Sequence, residues 1–187
     1  MPSPKDIAQL ARRIDRPIVL VGLMGVGKST VGRRLAHALG MNFVDADEAI
    51  VEAAQMPIVD IFQNLGEQGF RAGERRVIAR LLRQDSGSSA VIATGGGAFV
   101  DPETRRLILD QAIAVWLDSN IDVLVRRVSR RQHRPLLIDR DPRTVLTALA
   151  KERGPAYAQA PIRVVSDNGP HSHTVAQILH ALLEHTR

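Results

Sequence analysis

The tightest constraint on this chain is one turn, Gly22-Leu23-Met24-Gly25-Val26-Gly27-Lys28-Ser29-Thr30, set directly after an apolar run at 18–21 and directly before a stretch of helical periodicity. It fulfils G-x-x-x-x-G-K-[ST] in the strand–turn–helix setting that the motif requires. Glycines let consecutive backbone N–H groups turn toward one oxyanion, and the start of a helix adds partial positive charge there. A lysine at this position reaches the outer phosphates of a nucleotide, and the serine hydroxyl offers an oxygen to the accompanying cation. A plain glycine turn before a helix would leave the lysine and the serine unexplained. The motif specifies a nucleotide but no particular reaction.

Around this turn, short β-branched runs alternate with longer helical patterns. Strands are predicted at 18–21, 42–44, 90–93, 112–117 and 162–165. Helices are predicted at 28–39, 47–55, 58–65, 67–82, 121–129, 142–153 and 174–185, with another starting at Asp101-Pro102. Strands separated by helices imply βαβ units and a parallel sheet covered on both faces. No repeat or linker divides the chain, so residues 1–187 are expected to form one domain with a short N-terminal extension at 1–16. The stretch 130–142 breaks the pattern: it is dense in Arg and Asp, carries two prolines and is expected to be a mobile lid.

Composition narrows the setting. Aromatic residues make up 3% of the chain, so the core must rest on Val, Ile, Leu and Ala. There is no cysteine, which excludes disulfides, thiolate zinc sites and cysteine nucleophiles and fits a cytoplasmic location. No run of 18 apolar residues exists and residues 1–15 lack an apolar signal core, so no membrane association is expected. The net charge is +5, and of the 25 Lys and Arg only Lys5, Lys28 and Lys151 are lysine. The arginines are spread over predicted helices, which suits small anionic ligands rather than nucleic acid.

Several residues after the turn have chemistry to offer. Asp45 and Asp47 stand at the carboxyl end of the second strand, the edge where ligands of open α/β sheets bind. Asp45 there can face a cation, and Asp47 can orient an acceptor hydroxyl and take its proton. Equally, Asp47 can simply cap the next helix. Arg71 and Glu74 lie three apart on a helix, a spacing that holds an arginine in one rotamer; a solvated helix pair has the same pattern. Thr94-Gly95-Gly96-Gly97 allows a ligand close to the backbone or is a flexible turn. Arg130, Arg131 and Arg134 fall in the irregular segment, and Arg153 precedes Tyr157.

Taken in order and with their separations, the turn at 22–30, Asp45-Ala46-Asp47, Gly69-Phe70-Arg71, Thr94–Gly97, Arg134-Pro135-Leu136-Leu137 and Glu152-Arg153 followed by Tyr157 resemble the shikimate kinase family from about Ile18 onward. The resemblance implies a P-loop NTPase fold, a three-layer α/β/α sandwich on a five-stranded parallel sheet with a mobile lid and a helical acceptor region. It implies a nucleotide site of Gly25, Val26, Gly27, Lys28, Ser29, Thr30, Arg127 and Arg134, with Arg127 flanking the adenine. Lys28 and Arg134 would contact the transferring phosphoryl group, and Ser29 and Asp45 would serve Mg²⁺. Asp47 would hold the acceptor hydroxyls as the base. Arg71 and Arg153 would clamp a carboxylate, with Gly95, Gly96 and Gly97 completing the pocket.

The expected reaction is phosphorylation of the 3-hydroxyl of shikimate by ATP, a step in aromatic amino acid biosynthesis, carried out by a monomer. Two rival readings share the phosphate loop: a kinase for another hydroxy acid such as gluconate, and a ligand-sensing module without turnover. Gly154-Pro155 and Ala160-Pro161 depart from the family pattern and bear on how Arg153 is presented. The segment 166–173 matches only loosely. His171 and His173 read as solvated loop residues, and Trp116 as strand packing.

Overall fold

The structure is a computed structural model that describes residues 1–83, 90–129 and 140–186. Its elements run α1 (Pro4–Arg13), β1 (Ile18–Val21), α2 (Lys28–Leu39), β2 (Asn42–Asp45), α3 (Ala46–Ala54), α4 (Ile58–Arg83), β3 (Ala90–Ala93), α5 (Pro102–Gln111), β4 (Ile113–Asp118), α6 (Ile121–Ser129), α7 (Pro142–Tyr157), β5 (Ile162–Val165) and α8 (His171–His185). The strands form one parallel sheet in the order β2-β3-β1-β4-β5. Ile18 pairs with Val91 of β3 on one side and with Ile113 of β4 on the other. All four residues of β1 and of β3 are buried, as expected for parallel strands covered on both faces.

The crossover from β1 through α2 runs toward β2, whereas that from β3 through α5 runs the opposite way, toward β4. Right-handed connections therefore put α2 and α5 on opposite faces of the sheet. The order reverses at β1, which opens a crevice at the carboxyl ends of β1 and β3. Thr94 fixes the two lips of that crevice together: its N–H and its hydroxyl both donate to the Leu20 carbonyl, at 3.2 and 3.1 Å.

The three-layer architecture and all five strands are as expected, and the structure refines several boundaries. Residues 1–16 are not a featureless extension. Ser3 caps α1, its hydroxyl accepting from the Asp6 N–H at 3.2 Å while Asp6 accepts from the Ser3 N–H at 3.1 Å, with Pro4 in the first turn. Such a reciprocal box satisfies two of the donors a helix start leaves open. Asp45, not Asp47, caps α3. Ala112 closes α5 instead of opening β4, which runs on to Asp118. Helix α4 is bent at Gly66, where φ is 66°, at the predicted break. Helix α7 continues past Arg153 through Pro155 to the buried Tyr157, and the Ala158 N–H bonds the Gly154 carbonyl at 2.9 Å. The proline removes one helical donor, but burial of Tyr157 holds the last turn. His171 opens α8 three residues earlier than expected. Asp141 and Pro142, placed in the lid from sequence, are the cap and first residue of α7; residues 130–139, including Arg130, Arg131 and Arg134, lie outside the described residues. Among the described residues no helix is long and apolar enough to cross a membrane.

Candidate active site

The glycine turn after β1 is built as its sequence requires. Gly22, Gly25 and Gly27 all have positive φ, and no side chain caps α2. The first N–H groups of α2 are thereby left for an anion, in register with the helix dipole. Lys28, the first residue of α2, donates through Nζ to the carbonyls of Gly22 and Leu23 at 2.8 and 3.0 Å. The loop thus curls around its own lysine. Val26 is buried, so it presents backbone rather than side chain. Thr30 is half-buried in the first turn of α2.

Ser29 and Asp45 meet across the crevice, Ser29 Oγ donating to Asp45 Oδ2 at 2.7 Å. Asp45 Oδ1 accepts from the Asp47 N–H at 3.1 Å. The capping role weighed for Asp47 therefore belongs to Asp45, and the Asp47 side chain is released toward the cavity. Its carboxyl is pushed above the usual aspartate range, first by burial and then by the neighbouring Asp45, while Lys28 and Arg71 pull the other way. These residues share a cavity of about 750 Å³ with Gly95 and Gly96.

The glycine strip after β3 is where Asp47, Arg153 and Arg71 converge. A Cβ on Gly95 would lie 2.8 Å from Asp47 Oδ1, one on Gly96 3.4 Å from Arg153 Nη1, and one on Gly97 2.3 Å from Arg71 Nη2. A Cβ would crowd Asp47 at Gly95 and Arg71 at Gly97, whereas one at Gly96 would be in ordinary contact with Arg153. Arg71 Nη1 donates to Glu74 Oε2 at 2.7 Å, and Glu74 is 1% exposed. Burial pushes the Glu74 carboxyl up, and the bond from Arg71 opposes that. The pair is therefore a buried anchor, not the solvated helix pair that spacing also allowed. Tyr157 donates its hydroxyl to the Gly96 carbonyl and is pushed up to about 12 by burial, so it remains a donor. Arg71, Gly97 and Arg153 line a second cavity of about 460 Å³.

At the other end of the larger cavity Arg127 ties two loops together. Its Nη1 donates to the Val26 carbonyl at 3.0 Å and to Ser166 Oγ at 3.2 Å, and its Nη2 donates to the Asp167 carbonyl. His171, read as a solvated loop residue, is instead half-buried in this cavity wall, 3.3 Å through Cε1 from where a Gly27 Cβ would stand. Its correct placement needed the long-range packing of α8 on α2, which nothing local to 166–173 announces. Burial pushes its imidazole down, and the Arg127 and Arg34 cations add to this. His173 is exposed, as expected. Trp116 packs on β4 under Arg163, whose guanidinium lies 4.6 Å from the ring centroid. Glu74 pins Arg71 and Tyr157 pins Gly96, roles that only the fold reveals. Sequence offered the i, i+3 spacing for the first and no signal for the second.

A phosphate-gripping turn, a hydroxyl–carboxylate pair suited to a cation and a second carboxylate facing a glycine strip define a class: P-loop kinases that move a phosphoryl group from nucleotide to a small acceptor. A family model described as "Shikimate kinase" matches residues 24–183. A shikimate kinase of Novosphingobium aromaticivorans is 56% identical over 181 residues, covering 96% of this chain and 94% of that protein. One of Caulobacter vibrioides is 55% identical over 177 residues, covering 95% and 86%. The solved structure of shikimate kinase from Acinetobacter baumannii in complex with shikimate superposes with a TM-score of 0.84 at 34% identity, covering 98% of each chain. The chain belongs to the shikimate kinase family. It is an enzyme, a kinase whose phosphoryl donor brings a divalent metal with it.

Proposed function

We propose that this kinase transfers the γ-phosphoryl group of ATP to the 3-hydroxyl of shikimate, as a cytoplasmic monomer, by direct in-line displacement. The observation that carries this reading is the convergence on Gly95–Gly97 of one carboxylate, Asp47, and two guanidinium groups, Arg71 and Arg153. A ring acid with hydroxyls presents that set of groups in reverse. Membership of the family displaces the gluconate and sensor readings: a gluconate kinase does not ask for two arginines beside one aspartate, and the chain keeps Lys28, Ser29 and Asp47, which a module without turnover does not need.

The backbone N–H groups of 25–30 and Lys28 hold the donor's phosphates and stabilise charge on them. Arg71 and Arg153 take the acceptor carboxylate, with Gly96 and Gly97 allowing it close to the backbone. Asp47 accepts the proton from the hydroxyl that attacks. Arg127 holds the Val26 carbonyl to the loop at 166–167 and flanks the adenine, and Arg134, outside the described residues, steadies the transferring group from the lid. Ser29 Oγ and Asp45 Oδ2 are hard oxygen donors 2.7 Å apart at the phosphate end of the cavity, a fit for Mg²⁺. No group of three or more acidic or histidine ligands is present among the described residues. Mg²⁺ needs none, since it keeps several waters and leans on substrate phosphates. Ser29 and Asp45 would hold Mg²⁺, which would supply neutralisation of the donor's phosphate charge. Most of the catalysis is positioning and electrostatics.

A coupled ADP-release assay with shikimate, with gluconate and with no acceptor tests the proposal. ADP release that depends on shikimate is expected. Turnover with gluconate alone, or binding of shikimate without turnover, would refute it.

A further inference from the structure

The larger cavity is accounted for by the phosphate donor and the attacking hydroxyl. The smaller one holds a feature that the reaction does not use: the clamp arginines face carboxylates of this chain. Arg71 lies between two glutamates. Its Nη1 is bound to the buried Glu74 at 2.7 Å, whereas its Nη2 faces Glu67 Oε1 at 3.6 Å. The two differ in kind. The Glu74 side chain is 2% exposed and immobilised, and the Glu67 side chain is 74% exposed, at the first position after the Gly66 bend. Glu67 and Arg71 both line the smaller cavity, and Nη2 is the same nitrogen that lies against Gly97. It is the nitrogen that Glu74 leaves to Glu67, at 3.6 Å, and so the one a second carboxylate can take. Glu152 stands in the same cavity, 4.0 Å from Arg153 Nε.

We infer that Glu67 competes with the acceptor's carboxylate for Arg71 Nη2 and so sets the enzyme's affinity for an anionic acceptor. This rests on the reading of Arg71 as the carboxylate clamp. Glu74 fixes the guanidinium plane and stays bound throughout. Glu67 offsets the charge on that nitrogen in the absence of an acid, and swings into solvent when an acid takes its place. A surface ion pair at 3.6 Å is weak, worth about 0.2–1 kcal/mol. Its removal changes binding by about 1.4- to fivefold. The contact also screens a cation that would otherwise attract any small anion, so the competition favours acceptors that offer Arg153 a second contact.

The test is steady-state kinetics of E67Q, R71A and the double variant, at low and high salt. E67Q is expected to lower the KM for shikimate by about 1.4- to fivefold at low salt. It should leave the KM for ATP and the KM for shikimate methyl ester, which lacks the charge, where they are. In the R71A background the Glu67 substitution should have no effect on the KM for shikimate. An E67Q enzyme whose KM for shikimate is unchanged or raised, while R71A raises it, overturns this inference alone. An R71A enzyme with an unaltered KM for shikimate overturns the clamp reading beneath it.

Discussion

Replacing Gly97 with alanine would put a methyl carbon where the Arg71 guanidinium now lies. The added Cβ would stand 2.3 Å from Nη2, 2.7 Å from Nη1 and 2.8 Å from Cζ, and ordinary contact begins at 3.4 Å. Something must retreat by about 1 Å. The strip is not free to do so: Ala98 and Phe99 behind it are fully buried, and Gly96 is held by the Tyr157 hydroxyl. The guanidinium moves instead, which stretches its bond to the buried Glu74. Weakening a hydrogen bond to a buried charged group costs about 1.5–3 kcal/mol. For a chain of this size each kcal/mol lowers Tm by about 2–4 °C. The larger effect falls on the acceptor, because a displacement of about 1 Å in a positioning group can lose on the order of 100-fold. The KM for shikimate should therefore rise by about 10- to 100-fold. The KM for ATP should change little, because the phosphate turn is built on β1 and not on this contact. Steady-state kinetics with each substrate varied, together with a thermal melt, gives both readouts. An unchanged KM for shikimate, or an equal rise for both substrates, would refute the assignment of Gly97 and Arg71 to the acceptor.

Three further outcomes are expected. Lys28→Ala should chiefly lower kcat, by about 10²–10³ as for loss of one preorganised charge donor, with the KM for shikimate nearly unchanged in the ADP-release assay. Gly154→Ala should stabilise the protein by about 0.5–1 kcal/mol, since the residue sits inside α7 and a Cβ there meets nothing within 4 Å. A thermal melt checks that gain, and an unaltered KM for shikimate would establish that the glycine beside Arg153 does not govern how Arg153 is presented. Tyr157, the one tyrosine of the chain, is pushed from 10.0 to about 12 by burial. The unfolded chain loses that proton first, so its contribution of about 2–3 kcal/mol is complete below pH 10 and disappears as the pH rises toward 12. Ultraviolet titration of tyrosinate alongside chemical denaturation reads this directly, and tyrosinate formation near pH 10 in the folded protein would contradict it.

The sheet and the phosphate grip were legible because both are written in local pattern. Apolar runs bounded by turns marked β1, β3 and most of β4, and the glycine turn carries its chemistry in adjacent residues. Gly66 was visible as a break for the same reason. Other features depend on partners distant in sequence. Asp45 caps α3 through one carboxylate oxygen and meets Ser29, sixteen residues upstream, through the other, a second contact that local sequence does not announce. Glu74 and Arg71 have the spacing of any surface pair, and only the packing of α4 under the glycine strip buries the glutamate. Helix α1 lay outside the βαβ rhythm, although Ser3, Pro4 and Asp6 spelled its cap. His171 was misread because the contact that half-buries it is made to Gly27, at the other end of the chain.

The placement of the site residues divides the labour of recognition. The turn at 22–30 and the strip at 95–97 hang from β1 and β3, neighbouring strands whose ends Thr94 clamps through the Leu20 carbonyl. That half is rigid and reads only phosphate and backbone. The groups proposed to distinguish one acceptor from another come from three helices, with Asp47 on α3, Arg71 on α4 and Arg153 on α7. A guanidinium cannot be oriented by apolar packing alone, because its N–H groups need acceptors. Glu74 therefore has to be buried beneath the strip despite the cost that burial imposes on its carboxylate. The same glycines that admit Arg71, Arg153 and Asp47 leave no side chain of their own to select a substrate. Acceptor identity is thus set by which side chains the helices thread through the strip, and it can change without disturbing the phosphate grip.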